Sequence, residues 1–173
     1  MSNSKERQEK IRKRYIFLIL SFIWMAVIFY FSSQNGDESS KLSGGITEVV
    51  VRSLYSNFNE LSQVKQQSML DNISFIIRKG AHFTEYTILG FLLTGFFNTF
   101  YWSVLKGRLS AYVVGTVYAI TDEFHQMFSD GRAPKVMDVM IDSCGVIFGI
   151  SLFFFAIYLI NKYKKKHNTL LKK

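Results

Sequence analysis

The stretch Thr121–Asp142, TDEFHQMFSDGRAPKVMDVMID, gathers Asp122, Glu123, His125, Gln126, Asp130, Asp138 and Asp142 around Arg132 and Lys135. Carboxylates and imidazoles move protons and act as general acids and bases. Arg132 carries a planar fork that matches phosphate or carboxylate, and Gly131 beside it permits a sharp turn. A second set lies upstream: Lys79, His82, Glu85 and Tyr86. His82 and Glu85 are three residues apart and His82 and Tyr86 four, so they share one face of a helix. Asp122 and Glu123 are adjacent and diverge by about 100° on a helix. One therefore faces a shared site while the other meets a neighbouring helix or Arg132.

Two readings stand beside each other for these groups. In the catalytic one, Glu123 or Asp122 is a general base, His82 a proton shuttle and Arg132 an anion clamp, with Lys79, Gln126, His125, Glu85, Tyr86, Asp138 and Asp142 lining the site. In the structural one, Arg132 and Lys79 neutralise the acids, and the histidines are hydrogen-bonded packing residues. His82, Glu85, Glu123 and His125 form a mixed N/O set, but no segment has HExxH-type spacing, so no metal is expected. The Phe153–Phe155 run reads as lipid-facing or packing surface, and no cofactor is expected.

The surrounding chain says where such groups must sit. Of 173 residues, 49% are hydrophobic, and the 17 phenylalanines come in blocks, as in a polytopic membrane protein. The only proline is Pro134, so the long apolar runs lack a breaker, and the lone Cys144 rules out an internal disulfide. The net charge of +8 comes from basic residues clustered at the ends of apolar runs. That placement serves membrane topology and argues against nucleic acid. The first apolar run lacks a small-x-small cleavage site and reads as a retained span.

The pattern predicts an all-α membrane protein with four transmembrane helices, at about 15–31, 83–102, 109–128 and 136–160. A basic arm (1–14) precedes them and a basic tail (161–173) follows. The outer loop, 32–80, begins turn-like and polar up to Gly44 and Gly45. Its Ile46–Ile77 portion reads as two short amphipathic helices on the membrane surface or capping the bundle, and Arg78 and Lys79 begin the next unit. Both termini and the Lys106–Arg108 turn are basic and fall on one side, which the positive-inside rule makes cytoplasmic. Small-residue stripes continue the acidic ones: Ala111, Gly115 and Ala119 lead to Asp122 and Gln126, and Asp138 and Asp142 lead to Gly145 and Gly149. In lipid such stripes let backbones approach. The acids are therefore expected to face the bundle interior, in a polar pocket open to the outside. Membrane lipids are the expected partners. The stripes permit a dimer without requiring one. A proton-linked transporter fits less well, because the polar residues stop at one face and no internal repeat is visible.

These residues resemble a known family. Lys79-x-x-His82-x-x-x-Tyr86, Asp122-Glu123-x-His125-Gln126, Gly131-Arg132 and Asp138 resemble the VanZ-like family of bacterial membrane proteins, as does Phe29-Tyr30-Phe31-Ser32-Ser33-Gln34. The resemblance runs from the first span to the fourth. It departs at Asp142, where an Asn is expected, and in the size of the outer loop. It implies a helical protein of the bacterial plasma membrane and cell envelope. The name-giving member is associated with low-level resistance to teicoplanin, so a lipid-linked or lipoglycopeptide ligand at the outer face is the implied partner. The resemblance implies no settled reaction.

Overall fold

The computed structural model describes residues 2–34, 36–128 and 135–170. Its elements are α1 (Ser2–Ser32), α2 (Gly36–Leu54), a short 3-10 turn (Phe58–Glu60), α3 (Gln63–Phe97), α4 (Val104–Gln126) and α5 (Val136–Leu170). The protein is all-helical, with no strand among the described residues. By length and composition, two helices can cross a membrane: Ser4–Ser32 and Val136–Asn168.

α3 is the central element and touches each of the other four helices. Its buried residues are Tyr86, Leu89, Gly90, Leu93, Thr94 and Gly95. The closest packing is against α5, which runs parallel to it. A Cβ added to Gly145 would stand 2.5 Å from the Phe83 carbonyl oxygen, and one added to Gly90 would stand 2.5 Å from the Val146 carbonyl oxygen. A Cβ on Gly149 would overlap the Thr87 carbonyl and come within 2.8 Å of the Phe91 backbone nitrogen. Here backbone lies on backbone, and only glycine permits it. Val146, fully buried, fills the space between this seam and Gly115 of α4.

α1 and α4 run opposite to α3. The Trp24 indole N–H donates to the Glu85 carbonyl at 2.8 Å, and the Tyr118 hydroxyl donates to the Met25 carbonyl at 2.6 Å. α4 starts cleanly because the Ser103 side chain accepts from the Lys106 N–H, an N-cap. Its buried face is Gly107, Ala111, Gly115, Ala119, Asp122, Glu123 and Gln126. The expected small-residue stripe is therefore the packed face.

Cations and aromatics collect at one end. Arg14 donates to the Thr99 hydroxyl at 3.1 Å and to its carbonyl at 3.2 Å, and lies 3.9 Å over the Phe100 ring. Lys10 covers Tyr101, Lys106 covers Trp102 and Arg108 covers Phe154.

Two expectations change. Arg78 and Lys79 do not begin a new helix. α3 runs unbroken for 35 residues, so the second amphipathic helix and the second span are one rod. No proline interrupts it, and Gly80 alone is too weak a breaker. The polar turn expected up to Gly44 and Gly45 is instead helical, since α2 starts at Gly36. α2 packs on the N-terminal half of α3, with the Ser43 and Ser74 hydroxyls 3.2 Å apart. The described parts of the basic arm and tail, residues 2–14 and 161–170, are helical, as extensions of α1 and α5. In the arm, Glu6–Lys10 and Glu9–Lys13 pairs support this locally.

Two glycines in this fold should respond oppositely to alanine. Gly80 has nothing within 4 Å of an added Cβ, whereas Gly149 meets the α3 backbone. In thermal unfolding of the detergent-solubilised protein, Gly80→Ala should be neutral or gain up to about 1 kcal/mol, from helix propensity alone. Gly149→Ala should lose about 1–3 kcal/mol through overpacking. Equal melting temperatures for the two would remove the glycine seam as a stabilising contact.

Candidate functional site

Opposite the basic end, the bundle holds Asp122, Glu123, Asp138 and Asp142, each less than one-tenth exposed. α3, α4 and α5 supply most of the surrounding side chains, and α1 closes the fourth side with Ser32. Asp122 of α4 lies at the centre. It sits beside the Ser32 hydroxyl of α1 and the Tyr86 hydroxyl of α3, and within the field of His82. Its own helix adds Gln126, whose Nε2 donates to Asp122 Oδ2 at 3.5 Å. The Tyr86 ring is fully buried and lies 6.3 Å from that of Tyr118.

Two contacts join α3 to α5 around this centre. Lys79 forms an ion pair and hydrogen bond with Asp138. His82 Nδ1 stands 3.7 Å from Asp142 Oδ1. The backbone puts both in register, because Lys79 and His82 lie on the N-terminal continuation of the seam made by Phe83, Thr87, Gly145 and Gly149. Glu123 takes the direction away from Asp122, as adjacency on a helix requires. One of its oxygens accepts from the Lys135 backbone N–H just before α5. Asp138 is in the first turn of α5, where the helix dipole favours a negative charge.

The carboxylates bear on one another. Asp142 lies in the field of Asp122, Asp138, Glu123 and Glu85. Among the described residues, three buried carboxylate oxygens, Asp122 Oδ1, Glu123 Oε2 and Asp142 Oδ1, meet no hydrogen-bond donor at bonding distance. Among the described residues, no three His, Cys, Asp or Glu side chains converge closely enough to hold a metal ion. The arrangement supplies an acid–imidazole contact, a buried phenol and several acceptor oxygens. These are parts for proton transfer or for binding a hydrogen-bond donor.

Of the residues anticipated for the site, Lys79, His82, Tyr86, Asp122, Glu123, Gln126, Asp138 and Asp142 come together. Glu85 contributes its field to Asp142, and its backbone carbonyl is taken by Trp24. His125 turns toward α1, its ring 4.3 Å from that of Phe29. Arg132, Gly131 and Asp130 lie outside the described residues. Sequence reasoning did not assign Ser32 to the site. The signal was a buried hydroxyl residue at the end of an apolar helix, inside a segment already marked by the resemblance. The Lys135 N–H left no signal, since every residue but proline carries one.

Residues 17–159 match the VanZ/LLP1 family model. The chain belongs to the VanZ/LLP1 family. The match starts at Phe17 and ends at Leu159, so the VanZ/LLP1 region takes in the whole carboxylate cluster and leaves out the two basic ends. No curated protein and no solved structure matches the chain. VanZ/LLP1 membership and the two apolar helices together fit a membrane protein.

The Lys79–Asp138 pair is mostly buried, with side-chain exposures of 18% and 11%. Removing one partner of such a pair strands the other charge. Asp138→Leu alone should cost about 3–5 kcal/mol of stability. The double variant Lys79→Met with Asp138→Leu should recover most of that loss. A double-mutant cycle by thermal unfolding measures it, and additive losses would show that the pair is not coupled.

Proposed function

We propose that this chain is a four-span protein of the bacterial plasma membrane, with both termini cytoplasmic and its polar site facing outward. In this reading it binds the headgroup portion of a lipid-linked or lipid-bearing ligand and lowers susceptibility to teicoplanin-type glycopeptides. The observation that carries the binding site is the buried carboxylate cluster at the end of the bundle opposite the cations. The glycopeptide role rests on family membership.

Four spans are supported by what the other two helices expose. Leu109, Val113, Val117, Ile120 and Phe124 form an exposed apolar face along α4. Water would not favour that face and lipid would. α4 has 23 residues, about 34 Å, which exceeds a hydrocarbon core of about 30 Å. The inner half of α3 is wrapped by α1, α4 and α5 and needs little lipid-facing surface. Both helices carry site charges, which lowers their apolar content without moving them out of the bundle. Lys10, Arg14, Lys106 and Arg108 share one end, as the positive-inside rule asks of a cytoplasmic face.

A second reading is a membrane-embedded enzyme acting on a lipid-linked or phospholipid headgroup substrate. The His82–Asp142 contact beside Asp122 and Tyr86 favours it, because a carboxylate orients an imidazole for proton transfer. Asp122 or Glu123 would be the base and Arg132 the phosphate clamp.

Expression in a teicoplanin-sensitive host should raise the inhibitory concentration of teicoplanin, and Asp122→Asn should abolish the rise at equal membrane abundance. An unchanged concentration with wild-type protein would remove the glycopeptide role. For the enzymatic reading, purified protein is incubated with labelled lipid precursors. Glu123→Gln and Asp122→Asn should each slow any turnover by about a hundredfold or more, the usual scale for losing a general base. Turnover equal to wild type in both variants would leave these acids without a catalytic role.

A further inference from the structure

A groove of about 470 Å³ runs along the first half of α4, at the opposite end of that helix from Asp122. Ser103, Lys106, Ser110 and Val113 line it and fall three or four residues apart, so they share one face of the helix. Phe97, the last residue of α3, lines it as well. The lining changes along its length. Its start holds the polar side chains, and past Ser110 only valine lines it. From Ser103 to Val113 is about 15 Å of helix, half of a hydrocarbon core of about 30 Å and so the depth of one leaflet.

The charge around the polar end has one sign. Residues 86–121 and 143–173 contain no Asp or Glu. The acids of the basic arm, Glu6 and Glu9, are paired with Lys10 and Lys13. Lys106 is exposed and forms no ion pair among the described residues. It lies 4.6 Å over the Trp102 ring, which stacks on Phe97 at 5.9 Å. Those contacts hold the ammonium beside the groove. The complement is therefore an amphiphile with an anionic head and an apolar tail. A zwitterionic head would bring a second charge, a cation, to a place with no carboxylate to receive it.

We propose that this groove binds an anionic phospholipid from the leaflet at the basic end. Lys106 holds the phosphate, Ser110 offers its hydroxyl to the glycerol esters, and one acyl chain lies along Phe97 and Val113. Leu109 and Val113, both exposed, continue the groove into the apolar face of α4. The inference rests on the four-span reading, which puts α4 in lipid. It needs neither the carboxylate cluster nor the glycopeptide role.

Trp102 is a reporter at the site. The chain has two tryptophans, so Trp24→Phe leaves Trp102 as the single emitter. The full chain goes into bilayers of phosphatidylcholine and phosphatidylglycerol, with one or the other brominated in the upper part of its acyl chains. At equal mole fraction, brominated phosphatidylglycerol should quench Trp102 with a relative association constant about fivefold above that of brominated phosphatidylcholine, the scale of one lysine at an anionic surface. Lys106→Gln should bring the two lipids to near parity. Ser110→Phe, which fills the groove, should do the same. Lys162→Gln in the tail removes an equal charge away from the groove and should leave the preference in place.

Equal quenching by the two lipids would overturn the site while keeping α4 in the bilayer. A loss in Lys162→Gln as large as in Lys106→Gln would also overturn it, because the attraction would then belong to the whole basic end. No quenching by either lipid would remove Trp102 from the membrane, and the four-span reading would fall with it. The wild-type chain supplies the same comparison without a tryptophan change. Extracted from an equal mixture into mild detergent, it should retain phosphatidylglycerol over phosphatidylcholine by the same factor, and equal retention would overturn the proposal.

Discussion

Everything in this fold depends on how closely α3 and α5 approach. Lipid tails are as apolar as the helices, so burial of leucine gives little reason for two helices to associate there. Contact must come from packing, and the tightest packing is backbone against backbone at Gly90, Gly145 and Gly149. This contact also sets register. With Gly145 held against Phe83, the next turn outward brings His82 to Asp142, and one turn further brings Lys79 to Asp138. The polar site is thus the continuation of an apolar seam toward the N-terminal ends of both helices.

The two ends of the bundle solve opposite electrostatic problems. At the basic end, cations lie over aromatic rings and their heads remain near water, which costs little. At the other end, acids are withdrawn from water and held by four helices. The separation is a product of chain direction. α1 and α4 bring polar residues there with their last turns, and α5 brings them with its first. Only α3 passes through, which is why it supplies Lys79, His82 and Tyr86 from its middle.

The sequence revealed most where one physical rule acts alone. Small residues spaced in fours on the helix of Ala111, Gly115 and Ala119, and on that of Gly145 and Gly149, marked the packed faces. Asp122 and Gln126 on the same stripe had to be buried with them. The adjacency of Asp122 and Glu123 forced them onto different neighbours, and they have them. The sequence misled where charge competes with continuity. Arg78 and Lys79 read as a boundary because charges so often end spans, yet a helix needs no boundary when nothing breaks its hydrogen bonds. Gly44 and Gly45 likewise read as a turn, and α2 passes through them. Ser32 and the Lys135 N–H joined the site through tertiary packing, which local pattern does not encode.

The unbroken course of α3 has a mechanical meaning. From Gln63 to His82 is about 28 Å of continuous helix, at 1.5 Å per residue. α2 is bound along that length, so the pair behaves as a stiff lever whose fulcrum is the glycine seam. A sideways push on its outer tip is not absorbed by a hinge loop, because none exists between tip and fulcrum. It reaches Lys79 and His82 as a tilt. The N-terminal end of α3 and the carboxylate cluster are therefore joined by unbroken helix.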